Sequence, residues 1–142
     1  MDFKNAKELL DFCQKLNCPI SDIMKQRECT LAETSLEDIY AKMDHALSIM
    51  RESASSPIQE PKKSIGGLIG GEARLADLHR ARGAAICGSV LSRAITYSMA
   101  VLETNTSMGL IVAAPTAGSS GIVPGLLLAL QEEYLSLIHI SE

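Results

Sequence analysis

The sequence predicts an all-α protein with at most one short extended segment. Apolar residues recur at helical spacing in residues 3–16 and again in residues 36–50. The alternation of apolar and polar residues that is typical of strands is nowhere longer than residues 110–114. The length of 142 residues and the hydrophobic content of 46% fit about one folded domain.

Three helices are predicted in the first part of the chain. The first, residues 3–16, ends before Pro19, because proline disfavours a helical conformation in the residue before it. Ser21 is placed to cap the second helix. Ser35 and Asp38 have the spacing of a capping box and mark the start of the third.

The remaining elements follow a predicted linker. Residues 53–64 contain two prolines and several serines, which is typical of a linker. A glycine-rich turn at residues 66–71 precedes a short charged helix at residues 72–82. Residues 84–103 form a longer helix with many small side chains, and the last helix begins at Ile122 with a proline in its first turn.

Charge is distributed unevenly along the chain. The net charge of −4 excludes a basic field of the kind that binds nucleic acid or an anionic membrane surface. Residues 83–142 contain few charged residues, which are Arg93, Glu103, Glu132, Glu133 and Glu142. Because a stretch this poor in charge is normally buried, we expect it to form the interior of a larger helical domain.

The uncharged stretch of residues 104–130 is long enough to cross a bilayer of ~30 Å. Its centre, residues 113–121, is however a polar, turn-forming insert whose backbone groups hydrocarbon could not satisfy. The sequence therefore predicts no membrane span.

Cysteine usage indicates a reducing environment. The four cysteines occur without a secretory signal, which predicts a cytoplasmic location rather than a disulfide framework. Their spacing contains no C-x-x-C pair, and we expect buried structural thiols rather than metal ligands.

The polar insert is the strongest candidate for a binding site. Its candidate residues lie directly before a predicted helix start and are Thr116, Gly118, Ser119, Ser120 and Gly121. Backbone N–H groups and the positive end of the helix dipole at such a position favour a carboxylate or a phosphate. The alternative is an ordinary connecting loop in which serine caps the helix.

A second polar cluster precedes this insert. Glu103 is a possible acid/base group and Asn105 a possible substrate contact, while the alternative is a helix C-terminus with asparagine near its end.

The glycine run of residues 66–71 matches neither of the common phosphate-binding patterns. A turn is therefore favoured there over a phosphate cradle.

Several of these residues together form a specific pattern. It comprises Glu103, Asn105, Ser107-Met108-Gly109 and the run Ile-Val-Ala-Ala-Pro-Thr-Ala-Gly-Ser-Ser-Gly-Ile-Val-Pro of residues 111–124. The pattern resembles the signature of the bacterial iron–sulfur L-serine dehydratase α chain. The glycine run followed by Glu72-Ala73 is similar too, and the resemblance extends to about Glu133.

The resemblance implies deamination of L-serine to pyruvate and ammonia by an all-helical catalytic domain. It also implies a [4Fe–4S] cluster acting as Lewis acid on the serine hydroxyl, and a β chain or a fused β domain as partner. The loop of residues 116–121 would line the substrate site. Residues 1–134 would form the N-terminal part of the α-chain domain.

The sequence departs from the family pattern in two respects. In the family the cluster cysteines lie downstream of the Pro-Thr-Ala-Gly-Ser segment, and none of the four cysteines here lies in such a motif. No metal ligand is therefore assigned in this chain. Residues 135–142, including His139, do not resemble the family and are predicted to be a non-native tail. The chain alone is expected to be inactive.

Other functions compete with this one. A pyridoxal-phosphate dehydratase would need a lysine in a buried site, but Lys62 and Lys63 lie in the predicted linker and no lysine follows Gly83. A non-catalytic helical subunit or interaction module stays open, as does a related cluster-dependent lyase that degrades L-cysteine.

Overall fold

A computed structural model describes residues 3–83, 85–114 and 116–135. These residues form helices and no strand, which confirms the all-α prediction. The α-helices are α1 (Ala6–Leu16), α2 (Ile20–Ala32), α3 (Leu36–Gln59), α4 (Glu72–Ala81), α5 (Ser89–Thr106) and α6 (Ile122–Leu130). A 3₁₀ helix (Ala117–Ser119) precedes α6, and a π-helical turn (Gln131–Leu135) follows it. The chain divides into two compact units, Met1–His45 and Ala46–Glu142.

The first unit relies on capped helix ends. The Asn5 side chain accepts the N–H of Glu8 at 3.0 Å at the start of α1. The predicted capping box is confirmed: Ser35 Oγ accepts the N–H of Asp38 at 3.1 Å, and the Asp38 carboxylate accepts the N–H of Ser35 at 3.3 Å. Among the described residues of this unit, Ile23 alone is fully buried.

The start of α2 differs from the prediction. Pro19 occupies the N-cap position with extended backbone, and the helix begins at Ile20 without a side-chain cap. The assignment of Ser21 as the cap is therefore wrong. Proline is compatible with a helix start because the N–H that it lacks would have no partner within the helix there.

The predicted linker of residues 53–64 is helical in its first half, because α3 continues to Gln59 with Ser53 and Pro57 buried. A proline inside a helix leaves the carbonyl four residues earlier without its usual N–H partner. That carbonyl belongs to Ser53, and it accepts the hydroxyl proton of Thr104 from α5 at 2.8 Å. The linker assignment is wrong here because a tertiary hydrogen bond compensates for the proline.

The next two helices agree with the sequence to different degrees. The charged helix predicted at residues 72–82 is confirmed as α4. The helix predicted at residues 84–103 begins later, at Ser89, and ends at Thr106. Its N-cap residue is Gly88, whose φ of +79° is readily adopted by glycine and interrupts the helical path.

The core of the second unit joins three helices. Its buried cluster consists of Ala54 of α3, Val101 of α5 and Leu128 of α6, with Tyr97 and Ile111 packed against it. α6 begins at the predicted residue. The helix with many small side chains thus provides one wall of this core.

Charged and polar groups also connect α5 to the π-helical turn. Arg93 Nη1 lies 3.3 Å from Glu132 Oε2 and 3.8 Å from Glu133 Oε2. The Tyr97 hydroxyl donates a hydrogen bond to the Glu132 carboxylate. Burial and this hydrogen bond raise the pKa of the Tyr97 phenol to about 12. Arg93 therefore pairs with two of the few carboxylates in this half of the sequence.

Several large apolar side chains of the charge-poor half are exposed. On α5 and α6, Leu91, Leu102 and Ile122 are 49%, 52% and 55% exposed. The described part of the chain does not cover these side chains, and the expectation that this half forms the interior of a larger helical domain stays a prediction. Among the described residues, no helix combines the length and the apolar character needed to cross a bilayer.

Candidate active site

The loop of residues 116–121 is a compact turn that the Ser119 side chain holds together. Ser119 Oγ donates to the carbonyl of Ala114 at 2.7 Å and accepts the N–H of Thr116 at 3.3 Å. It also lies 3.0 Å from Thr116 Oγ1. These hydrogen bonds connect the two ends of the turn, so the hydroxyls of Ser119 and Thr116 stabilise the loop itself.

Two glycines bring the loop and α6 close to the backbone of α5. A Cβ atom at Gly121 would lie 2.8 Å from the carbonyl oxygen of Ser98, and one at Gly125 would lie 2.7 Å from that of Ala94. Both distances are too short for a side chain. The absence of a Cβ atom therefore sets how closely the candidate loop approaches α5.

An open pocket of about 680 Å³ lies along α5 and the start of α6. Four of the predicted substrate contacts line it, namely Asn105, Gly118, Ser120 and Gly121. Ser120 is buried, with 4% of its surface exposed. Thr116 and Ser119 are not among the lining residues. The structure thus brings four of the six predicted contacts into one pocket.

Glu103 lies outside this pocket and contacts the start of α4. Its side chain is 1% exposed; Oε1 accepts the N–H of Ala73 at 2.7 Å and Oε2 accepts that of Gly71 at 3.1 Å. The first N–H groups of a helix lack partners within the helix, and the N-cap residue Gly71 has no side chain to bind them. Glu103 therefore caps α4 from a neighbouring helix, a role that sequence reasoning missed. Its proposed acid/base function stays a prediction.

The glycine run of residues 66–71 ends in a turn whose last N–H groups are occupied. Gly70 donates to the Glu72 carboxylate at 2.6 Å, and Gly71 donates to Glu103. Hydrogen bonds from its own N–H and from Gly70 hold the pKa of the Glu72 carboxyl below its usual range. Carboxylates thus occupy amides that a phosphate would need, which favours the turn over the phosphate cradle.

The described residues do not fit an iron–sulfur cluster. Such clusters are held by several cysteine thiolates, and no group of three or more His, Cys, Asp or Glu side chains in the described ranges could hold a metal ion. All four cysteines are free: Cys13, Cys18 and Cys29 are half-buried and Cys87 is exposed. The prediction of buried thiols is therefore wrong for Cys87, and the other three thiols are buried only in part.

Three of the sequence predictions fall partly outside the described residues. Ala84 of the predicted long helix, Pro115 of the signature, and residues 136–142 of the predicted tail, with His139, lie there. The assignment of residues 1–134 and 135–142 as domain and tail stays a prediction.

The fold and the pocket together define an all-helical protein with a candidate site between a glycine- and serine-containing loop and a packed helix. Residues 15–139 match the family model of the serine dehydratase alpha chain, and the chain belongs to this family. The resemblance seen in the sequence is thereby confirmed. The match also covers residues 135–139 of the predicted tail.

Curated relatives agree with the family match. A probable L-serine dehydratase alpha chain of Bacillus subtilis (strain 168) is 39% identical over 131 residues, which are 92% of this chain and 43% of the relative. The L-serine dehydratase alpha chain of Peptoniphilus asaccharolyticus is 35% identical over 129 residues, 91% of this chain and 44% of the relative. The L-serine dehydratase of Helicobacter pylori is 31% identical over 134 residues, which are 89% of this chain and 28% of the relative. The chain thus spans less than half the length of these relatives, and no solved structure is significantly similar to it.

Proposed function

We propose that this chain is part of an L-serine dehydratase, which converts L-serine to pyruvate and ammonia. The observation that carries the proposal is the pocket that joins Asn105 of α5 to Gly118, Ser120 and Gly121 of the loop. Family membership supports the substrate, because the relatives are named L-serine dehydratases.

The polar groups of this pocket match the groups of L-serine. The Asn105 amide can donate to a carboxylate or hydroxyl and accept from an ammonium group. The buried Ser120 hydroxyl can both donate and accept. The start of α6 adds the positive end of its dipole, which favours the substrate carboxylate.

In the proposed reaction, L-serine loses its α proton and its hydroxyl group as water. The resulting enamine tautomerises to an imine, whose hydrolysis gives pyruvate and ammonia. None of the described residues that line the pocket carries a carboxylate, an imidazole or an amine. The proposed part of this pocket in the reaction is therefore to bind and orient the substrate.

The complete enzyme is proposed to contain further components. The [4Fe–4S] cluster stays a prediction, with its ligands outside this chain. A β chain or fused β domain is the proposed partner, since the word alpha in the names of two relatives implies a second component. The free cysteines support a reducing, cytoplasmic location.

The test uses a hybrid α chain in which this sequence replaces the matching stretch of the Bacillus subtilis relative. The hybrid is assembled anaerobically with iron, sulfide and the other components of that enzyme, and pyruvate formation from L-serine is followed. We expect activity, and we expect Ser120→Ala and Asn105→Ala each to lower kcat/KM about tenfold or more, because each removes hydrogen bonds to the substrate.

The matched control is Ser89→Ala, since Ser89 is exposed and does not line the pocket. Its kcat/KM should equal that of the unsubstituted hybrid. The midpoint temperature of thermal unfolding is measured for every variant, because a variant that has lost only substrate binding keeps its midpoint and one that has lost folding does not. Unchanged kinetics in both pocket variants would contradict the site, and turnover of L-cysteine without turnover of L-serine would favour the related lyase.

A further inference from the structure

The pocket along α5 and α6 is much larger and more apolar than a serine site requires. Beyond its polar residues, it is lined by large apolar side chains on two helices, which are Leu91, Ile95, Met99 and Leu102 on α5 and Ile122 and Leu126 on α6. The α5 residues recur at helical spacing and so form one stripe. We call this surface the α5–α6 groove.

The groove exposes large apolar side chains to water. Ile95 is 43% exposed and Leu102 52%, although both are large and apolar. No described residue that lines the groove is charged. The two charged residues of α5 are engaged elsewhere, Arg93 with the π-helical turn and Glu103 with the start of α4. A continuous apolar surface of this kind is typical of an interface.

The shape and chemistry of the groove favour a helix as its occupant. A stripe on α5 and a second apolar edge on α6 form the two walls into which the apolar ridge of a third helix can pack. A second copy fits less well. A two-fold dimer would oppose one concave patch to the same concave patch, and the cavity between them would stay unfilled.

We propose that the occupant is an apolar helix of the serine dehydratase α chain, from the part of that chain that this sequence does not cover. The matched stretch makes up 43% of the Bacillus α chain and 44% of the Peptoniphilus α chain, so most of the residues of those chains lie outside it. This helix would also cover the polar residues of the candidate site. The proposal rests on family membership and not on the deamination reaction, so its test needs no activity.

The experiment measures whether the groove is covered. A thiol is introduced by Ile95→Cys, and its rate of alkylation is followed by peptide mass spectrometry in two proteins: the 142-residue chain and the hybrid Bacillus α chain described above. We expect alkylation in the hybrid to be slower by at least about tenfold, because a covered thiol reacts through rare local opening. Leu75→Cys on α4 is the matched control, since Leu75 is 67% exposed and does not line the groove. Its rate should be the same in both proteins.

A second format guards against poor folding of the hybrid. The remainder of the Bacillus α chain is produced separately and added to the 142-residue chain that carries Ile95→Cys. Protection in either format, with no protection at Leu75→Cys, supports the proposal. Equal alkylation in both formats overturns it, and protection that grows with the concentration of the 142-residue chain alone overturns it in favour of a second copy. If the groove is protected and the unsubstituted hybrid does not form pyruvate, the proposed function is contradicted and the groove assignment is left intact.

Discussion

At the scale of single residues, Glu103 shows how a charged group is accommodated in an apolar part of the sequence. Its buried carboxylate accepts the N–H groups of Gly71 and Ala73. In Glu103→Gln, the amide NH₂ group would face one of these donors and leave it without an acceptor. We predict a loss of about 1–3 kcal/mol in the free energy of unfolding, measured by urea denaturation.

Glu52→Gln is the control for this substitution, because it makes the same chemical change at an exposed position of α3. The free energy of unfolding should change by less than about 0.5 kcal/mol. Equal effects of the two substitutions would contradict the capping role of Glu103.

The sequence predicts which residues belong to the candidate site, but not which contacts their side chains make. Asn105 and Ser120 line one pocket, and their role as substrate contacts stays a prediction. Ser119 and Thr116 carry the same kind of hydroxyl but use it within the turn. The direction of a hydroxyl depends on the backbone torsions of the loop, and residue types alone do not determine those torsions.

At the scale of elements, the contact between α5 and α6 depends on the absence of a side chain at Gly125. A Cβ atom there would lie 2.7 Å from the carbonyl oxygen of Ala94 and 3.0 Å from the backbone nitrogen of Ser98. Helical backbone cannot move aside as the end of a flexible side chain can. We predict that Gly125→Ala separates the two helices and lowers the free energy of unfolding by about 1–3 kcal/mol, measured by urea denaturation.

The matched control is Gly66→Ala, where no atom lies within 4 Å of the added Cβ. We expect no loss of stability there, and a gain of up to about 1 kcal/mol if the alanine restricts the unfolded chain. If both substitutions destabilised the protein equally, close packing at Gly125 would not be the cause.

Helix ends were predictable where local hydrogen bonds determine them. The capping box at Ser35 and Asp38 is an example, because both partners lie within four residues of sequence. The end of α3 was not predictable. Pro57 leaves the carbonyl of Ser53 without its usual N–H partner, and the hydroxyl of Thr104, 51 residues further along the chain, donates to that carbonyl instead. A contact across that distance leaves no local signal.

At the scale of the whole molecule, burial is distributed as unevenly as charge. α1 has no buried residue, and in the described part of Met1–His45 only Ile23 is fully buried. α5 alone contributes five buried residues, which are Ala94, Thr96, Ala100, Val101 and Glu103. Because short helices without buried contacts are marginal in water, the two units should differ in local stability.

We predict that backbone amides of α1 exchange with solvent faster than those in the middle of α5. The expected ratio of protection factors is at least about tenfold, which corresponds to about 1.4 kcal/mol in the free energy of local opening. Hydrogen exchange of the 142-residue chain, resolved by nuclear magnetic resonance, measures both helices in one sample, so each serves as the reference for the other. Equal protection of α1 and α5 would show that the helices open together, and local burial would then not determine the stability of either.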